Sequence, residues 1–173
     1  MKAIHYSLLI FLFLTASCSS IRVNADYDKK VDFKNYKTYA YLTNSIDKVE
    51  ISSLDKKRIL NSLDAALNAK GLSHSDTPDL LISFFTQESQ RVDIYNNYGY
   101  YGWGWNPYWG GGYSTAYTTP EGVLFIDLID AKTKELVWQG EGSGYLTKDA
   151  EKKDERINEF VTKIMSQYPP FAK

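Results

Sequence analysis

Few side chains of this chain could carry covalent chemistry, and their spacing works against most of it. The 173 residues hold one cysteine, Cys18, and two histidines, His5 and His74. A nucleophilic thiol needs a base within hydrogen-bond reach, and a metal site needs several converging ligands. Neither can be assembled from so small a set. His74 lies in Ser73-His74-Ser75-Asp76, a polar stretch that reads as a solvated loop. Asp127 and Asp130 invite a paired-carboxylate reading, yet a spacing of three puts them on opposite faces of a strand. Acid–base work needs both groups within reach of one substrate. Asp130 reads as the opener of the turn Asp130-Ala131-Lys132-Thr133-Lys134, and Asp127 as a rim residue. Gly140-Glu141-Gly142-Ser143-Gly144 has the glycines of a phosphate loop or a nucleophile elbow. It lacks the Gly-x-Ser-x-Gly register, the lysine–serine pair and a helix directly after it. These glycines are read as a loosened strand end or a close backbone approach. No catalytic residue, metal ligand or cofactor is assigned.

Cys18 suits a different reaction. Lys2 provides a short positive start, and Leu8-Leu9-Ile10-Phe11-Leu12-Phe13-Leu14 is apolar but far shorter than the roughly 20 residues that span a bilayer. Small residues, Ala16 and Ser17, precede the cysteine. This is the build of a secretory signal peptide over 1–17. Its end, Leu14-Thr15-Ala16-Ser17-Cys18, is similar to a bacterial lipobox, although Thr15 stands where leucine is usual. The similarity implies lipid attachment at Cys18, a tether over 18–22 and a single domain over 23–173. His5 would leave with the leader, so His74 would be the only mature histidine. The 156 residues after the leader suffice for one core. A formal charge of −1 with no basic stripe gives nucleic acid no electrostatic footprint.

The most unusual composition lies between 95 and 117, where seven tyrosines, three tryptophans and six glycines fall together. Such glycine density raises the entropy cost of ordering. Its aromatic residues follow neither a helical nor a strand period. Tyr and Trp join apolar faces to polar tips and suit interfaces, sugar stacking and headgroup regions. Tyr100, Tyr101, Trp103, Trp105, Tyr108 and Trp109 are therefore candidate partner or surface contacts, set against a plain reading as a long hairpin loop shielding a sheet face.

The elements that must hold this loop are readable from periodicity. Strands are expected near 23–27, 37–42, 79–86, 88–95, 123–129 and 135–139. A helix over about 53–70 opens at Ser52, with Asp55 three residues on, carries Leu60, Leu63, Ala66 and Leu67 at helical spacing, and ends at Gly71. A second helix over about 149–167 has the stripe Ile157, Phe160, Val161, Ile164 and Tyr168, and stops at Pro169-Pro170. The order β-β-α-β-β-β-β-α predicts an α+β fold: an antiparallel sheet with both helices on one face and a long aromatic-glycine hairpin loop. Leu124, Ile126 and Leu128 form one apolar face, while Val123, Phe125 and Ile129 form another, so a second covering layer is needed.

Several of these pieces occur as an ordered set: Asp26-Tyr27-Asp28, Tyr36-Lys37-Thr38-Tyr39-Ala40-Tyr41, Lys70-Gly71-Leu72, Pro78-Asp79-Leu80-Leu81-Ile82-Ser83, Glu121-Gly122-Val123-Leu124, and Ile129 through Gly140. Together they resemble the domain of unknown function 4136 family of bacterial envelope lipoproteins. The resemblance covers almost all of the chain after the leader and implies an α+β envelope lipoprotein of Bacteroidota type. It implies no reaction and no site residues.

The sequence thus leads to a non-enzymatic binding or scaffolding protein, lipid-anchored at the outer membrane and facing the periplasm. Its contacts would be the membrane through the anchor and an envelope protein, a glycan or a second copy of itself. The alternative is a carboxylate-dependent enzyme acting on envelope carbohydrate, which would need two opposed carboxylates roughly 5–10 Å apart in a concave site.

Overall fold

A computed structural model describes residues 21–96, 114–145, 147 and 149–169, with only the backbone described along 90–96 and 114–120. The chain forms β1 (Arg22–Tyr27), β2 (Thr38–Tyr41), α1 (Thr43–Ile46), α2 (Ser53–Ala69), β3 (Ser73–His74), β4 (Leu80–Asn96), β5 (Ser114–Asp130), β6 (Leu136–Gly144) and α3 (Ala150–Met165). One sheet has the order β1-β6-β5-β4-β2-β3. The α+β class holds, with α2 and α3 packed on one sheet face. The sheet is mixed rather than antiparallel, because β2 runs parallel to both neighbours, pairing Tyr39 with Leu80 and with His74. Residues 42–79 carry the chain back across the end of the sheet, and a hairpin could not do that.

The local signals act as their chemistry requires. Ser52 accepts from the Asp55 backbone N–H at the start of α2, and Asp149 accepts from that of Glu151 at the start of α3. Gly71 sits at φ +83°, which lets the Leu72 N–H return to the Leu67 carbonyl. Phe33 packs edge-on to Tyr27, Tyr36 and Tyr168, so the 33–35 turn is pinned by rings.

The core lies between the helices and the sheet. Ile59, Leu63 and Leu67 of α2 and Phe160, Val161, Ile164 and Met165 of α3 meet Tyr39, Ile82, Phe84, Ile126, Leu128 and Trp138 of the sheet, all buried. Every buried core residue among those described falls between Ile21 and Tyr168. Tyr39 and Tyr41 both donate to Asp64 Oδ1 at 2.7 Å, tying β2 to α2. Gly140 and Gly142 give α3 its close approach. A Cβ at Gly142 would stand 2.7 Å from Ile164 Cδ1.

Strand β4 is one element where two were expected at 79–86 and 88–95. Gln87, the residue left between them, continues the ladder opposite Val123, and Glu88 and Ser89 follow opposite Gly122 and Glu121. β2 pairs β4 only through Ile82, and β6 pairs β5 only through Gly122. Beyond that level β4 and β5 pair with each other alone, down to Asn96 opposite Ser114. They form a two-stranded ribbon of about 25 Å at the usual strand rise. The strands thus extend into the 95–117 segment from both sides.

Candidate functional site

The richest concavity lies at the root of this ribbon, where the N-terminal halves of α2 and α3 diverge from the sheet. It encloses about 400 Å³. Its floor is apolar: Ile51, Ile59, Leu124, Ile157 and Phe160. Its rim carries Glu50, Asp55, Glu88, Lys153 and Arg156. The sheet end it occupies is also where the chain enters, since Arg22 pairs with Ser143 and Ser143 with Val123.

The rim charges differ in how they are held. Asp55 accepts from Lys153 Nζ at 3.0 Å and Arg58 Nη1 at 2.9 Å. Burial works to raise its pKa, but the hydrogen bonds led by Lys153 prevail and hold the carboxyl below its usual range. Arg156 lies over the Phe160 ring at 5.0 Å, donates to the Tyr145 carbonyl and pairs with Glu159. Glu50 and Glu88 are exposed and meet no cation among the described residues.

The opposite sheet face is a second surface. Phe85 stacks on Phe125, with centroids 4.5 Å apart, and remains 40% exposed. No helix lies over this pair among the described elements; α1 only borders the face, where Ser45 and Ser83 share a hydrogen bond of 2.9 Å. Asp127 stands mid-strand on this face and accepts from Gln139 Nε2 at 2.7 Å. It is therefore interior to the sheet surface and not at its rim. Burial raises its pKa, partly offset by that hydrogen bond.

Residues 23–170, which take in nearly all of the described fold, match the family described as domain of unknown function, DUF4136. This chain belongs to that family. Among curated proteins none matches it. A PDZ domain protein from Parabacteroides distasonis has a similar fold, with a TM-score of 0.53 at 18% identity over 95% of this chain. This chain spans 40% of the length of that protein. PelC from Paraburkholderia phytofirmans, solved as a dodecamer, gives a TM-score of 0.50 at 13% identity, covering 85% of this chain and 96% of that one. Both likenesses concern the fold.

In this DUF4136 chain Asp127 and Asp130 do not converge. Asp130 accepts from the backbone N–H groups of Lys132 and Thr133 and from the Tyr36 hydroxyl, which hold its carboxyl low. His74 is exposed and belongs to the two-residue strand β3, edge-on to Tyr39 at 5.7 Å. It is not a loop residue, because Ser73 and His74 align with Thr38 and Tyr39. Gly140 and Gly142 serve the close helix approach, and neither they nor Gly144 line the cleft. Among the described residues no group of three or more His, Cys, Asp or Glu side chains could hold a metal ion, and no helix is long and apolar enough to cross a membrane. Cys18 and the six aromatic candidates, Tyr100, Tyr101, Trp103, Trp105, Tyr108 and Trp109, lie outside the described residues. The cleft had no signature in the sequence, since its lining comes from five separated segments. Its one local signal was Ile157, half-buried at the edge of the α3 stripe.

Proposed function

We propose that this chain is a lipid-anchored binding or scaffolding protein of the cell envelope, held through Cys18 at the outer membrane, facing the periplasm and performing no catalysis. The observation that most supports this reading is that three features share one end of the sheet. They are the chain entry at Arg22, the root of the β4–β5 ribbon and the cleft. Cys18 precedes Arg22 by four residues, which span at most about 14 Å. An anchored domain would therefore hold this end against the bilayer. The arm that carries the aromatic-glycine segment is rooted there too, and tryptophan and tyrosine suit either headgroups or the apolar surface of a neighbour. PelC, of the same fold, is solved as a dodecamer, which makes a second copy of this chain one candidate neighbour. The carbohydrate-enzyme reading loses two of its carboxylates, since Asp130 is committed to a turn and Asp55 to cations.

Fractionation of cells producing wild-type and Cys18→Ala chains tests the anchor. The wild type is expected in the outer membrane, and Cys18→Ala in the soluble fraction or unprocessed. A processed Cys18→Ala chain that still partitions with the membrane would remove the anchor from the proposal. Protection of the domain from external protease on intact cells tests its periplasmic orientation, and efficient cleavage would reverse it.

A further inference from the structure

We infer that the cleft at the ribbon root binds a single-chain zwitterionic phospholipid, with its acyl chain on the floor and its headgroup at the rim. This deepens the binding reading above by naming a ligand class. It is tested on a chain without Cys18, so that its failure and the failure of the anchor remain distinct.

Size and polarity select the chain. A volume of about 400 Å³ falls within the roughly 300–1,000 Å³ of small-molecule sites. It lies near the small end of that range, which suits one acyl chain better than two. Ile51, Ile59, Leu124, Ile157 and Phe160 offer no side-chain hydrogen bond, so a polar body there would lose its hydration without recompense, whereas an alkyl chain would gain by leaving water.

The rim selects the headgroup, because it carries both signs. Lys153 donates one of its three N–H groups to Asp55, and the Arg156 guanidinium, which also donates to the Tyr145 carbonyl and Glu159, is held over the Phe160 ring at the cleft wall. These two cations suit a phosphate. Glu50 and Glu88, exposed and without a cation among the described residues, suit an ammonium. A fatty acid would leave the two glutamates uncompensated beside its carboxylate. An alkylamine would face Lys153 and Arg156 with a like charge.

The test uses the chain from Ser19 onward, which keeps every described core residue. Lauroyl lysophosphatidylethanolamine is titrated calorimetrically below its micelle-forming concentration, beside lauroyl lysophosphatidylglycerol, lauric acid and dodecylamine. Saturable one-site binding is expected, with the ethanolamine lipid at least tenfold tighter than each of the others. Ile157→Trp fills the cleft from a half-buried position and should weaken binding at least tenfold at an unchanged melting temperature. The double variant Glu50→Gln, Glu88→Gln should abolish the preference over the glycerol lipid. Absence of saturable binding, equal affinity for all four amphiphiles, or full binding by a folded Ile157→Trp chain would each overturn the inference. If Ile157→Trp fails to fold, methyl NMR of the wild type decides. Lipid-induced shifts at Ile51, Ile59, Leu124 and Ile157 support the cleft; shifts confined to Leu81 and Ile129 on the open face overturn it.

Discussion

Ile164 fills the space that a side chain at position 140 would need: a Cβ on Gly140 would stand 2.4 Å from Ile164 Cγ2 and 2.3 Å from the Trp138 ring. Helix and sheet are thus keyed together by a missing side chain. Gly140→Ala should destabilise the domain by about 1–3 kcal/mol through overpacking. Adding Ile164→Ala to Gly140→Ala should cost less than the sum of the two single changes. Urea melts of the four proteins in that cycle measure the coupling, and strict additivity would dissociate Gly140 from Ile164.

Phe84 and Phe85 are adjacent in sequence but differ in burial, at 0% and 40% exposure. Phe84→Ala removes a ring from the core and should cost about 3–5 kcal/mol. Phe85→Ala removes a stacked but accessible ring and should cost about 0.5–1.5 kcal/mol. Equal losses in denaturant unfolding would mean that something covers the open face in solution.

Asp79 joins β2 to the start of β4. Its Oδ2 accepts from the Lys37 and Thr38 backbone N–H groups and the Thr38 hydroxyl, at 2.9 to 3.0 Å. The Lys37 N–H leads the causes that hold its carboxyl below the usual range. A folded pKa below the unfolded value, about 3.9, gives stabilisation that is complete above that value and lost as pH falls through the folded one. Asp79→Asn should therefore melt lower than wild type at pH 7, with the gap narrowing below about pH 4. A gap that is constant with pH would show that the charge plays no part.

Trp103, Trp105 and Trp109 test the aromatic segment. Replacing all three with Ala should leave the melt nearly unchanged, since so glycine-dense a segment is costly to order into a core. It should weaken cross-linking of the anchored protein to its neighbours, because buried aromatic anchors dominate such interfaces. Unfolding of the triple variant would make the segment part of the core. Unchanged melting with unchanged cross-links would make it a passive loop.

What could be read from the sequence was local. Ser52 and Gly71 mark the ends of α2 because capping is decided within a few residues. The alternation at 123–129 separates the two sheet faces because a strand repeats every second residue. The parallel placement of β2 depends on which distant edge it meets, and no window around Thr38–Tyr41 contains that information. Two strands were expected where β4 is one because Gln87, Glu88 and Ser89 are three polar residues in a row, and only their pairing with β5 shows that the strand runs on. Thr43–Ile46 and Ser73–His74 are too short to show a period. The cleft was illegible for a related reason: Ile51, Leu124 and Ile157 become neighbours only after α2 and α3 have docked.

The ribbon also makes the sheet a mechanical fixture. Load applied near Asn96 and Ser114 would run along β4 and β5, the two central strands, into the body of the domain. The β5–β6 rungs lie across that direction, so they resist in shear, as a row, and do not peel apart one at a time. On the helix-covered face of β6 the Trp138 and Ile164 side chains pack the strand against α3. Tension on the arm, whether from a shifting bilayer or from a moving neighbour, would thus be spread over the whole α3–β6–β5 assembly before any single bond gave way.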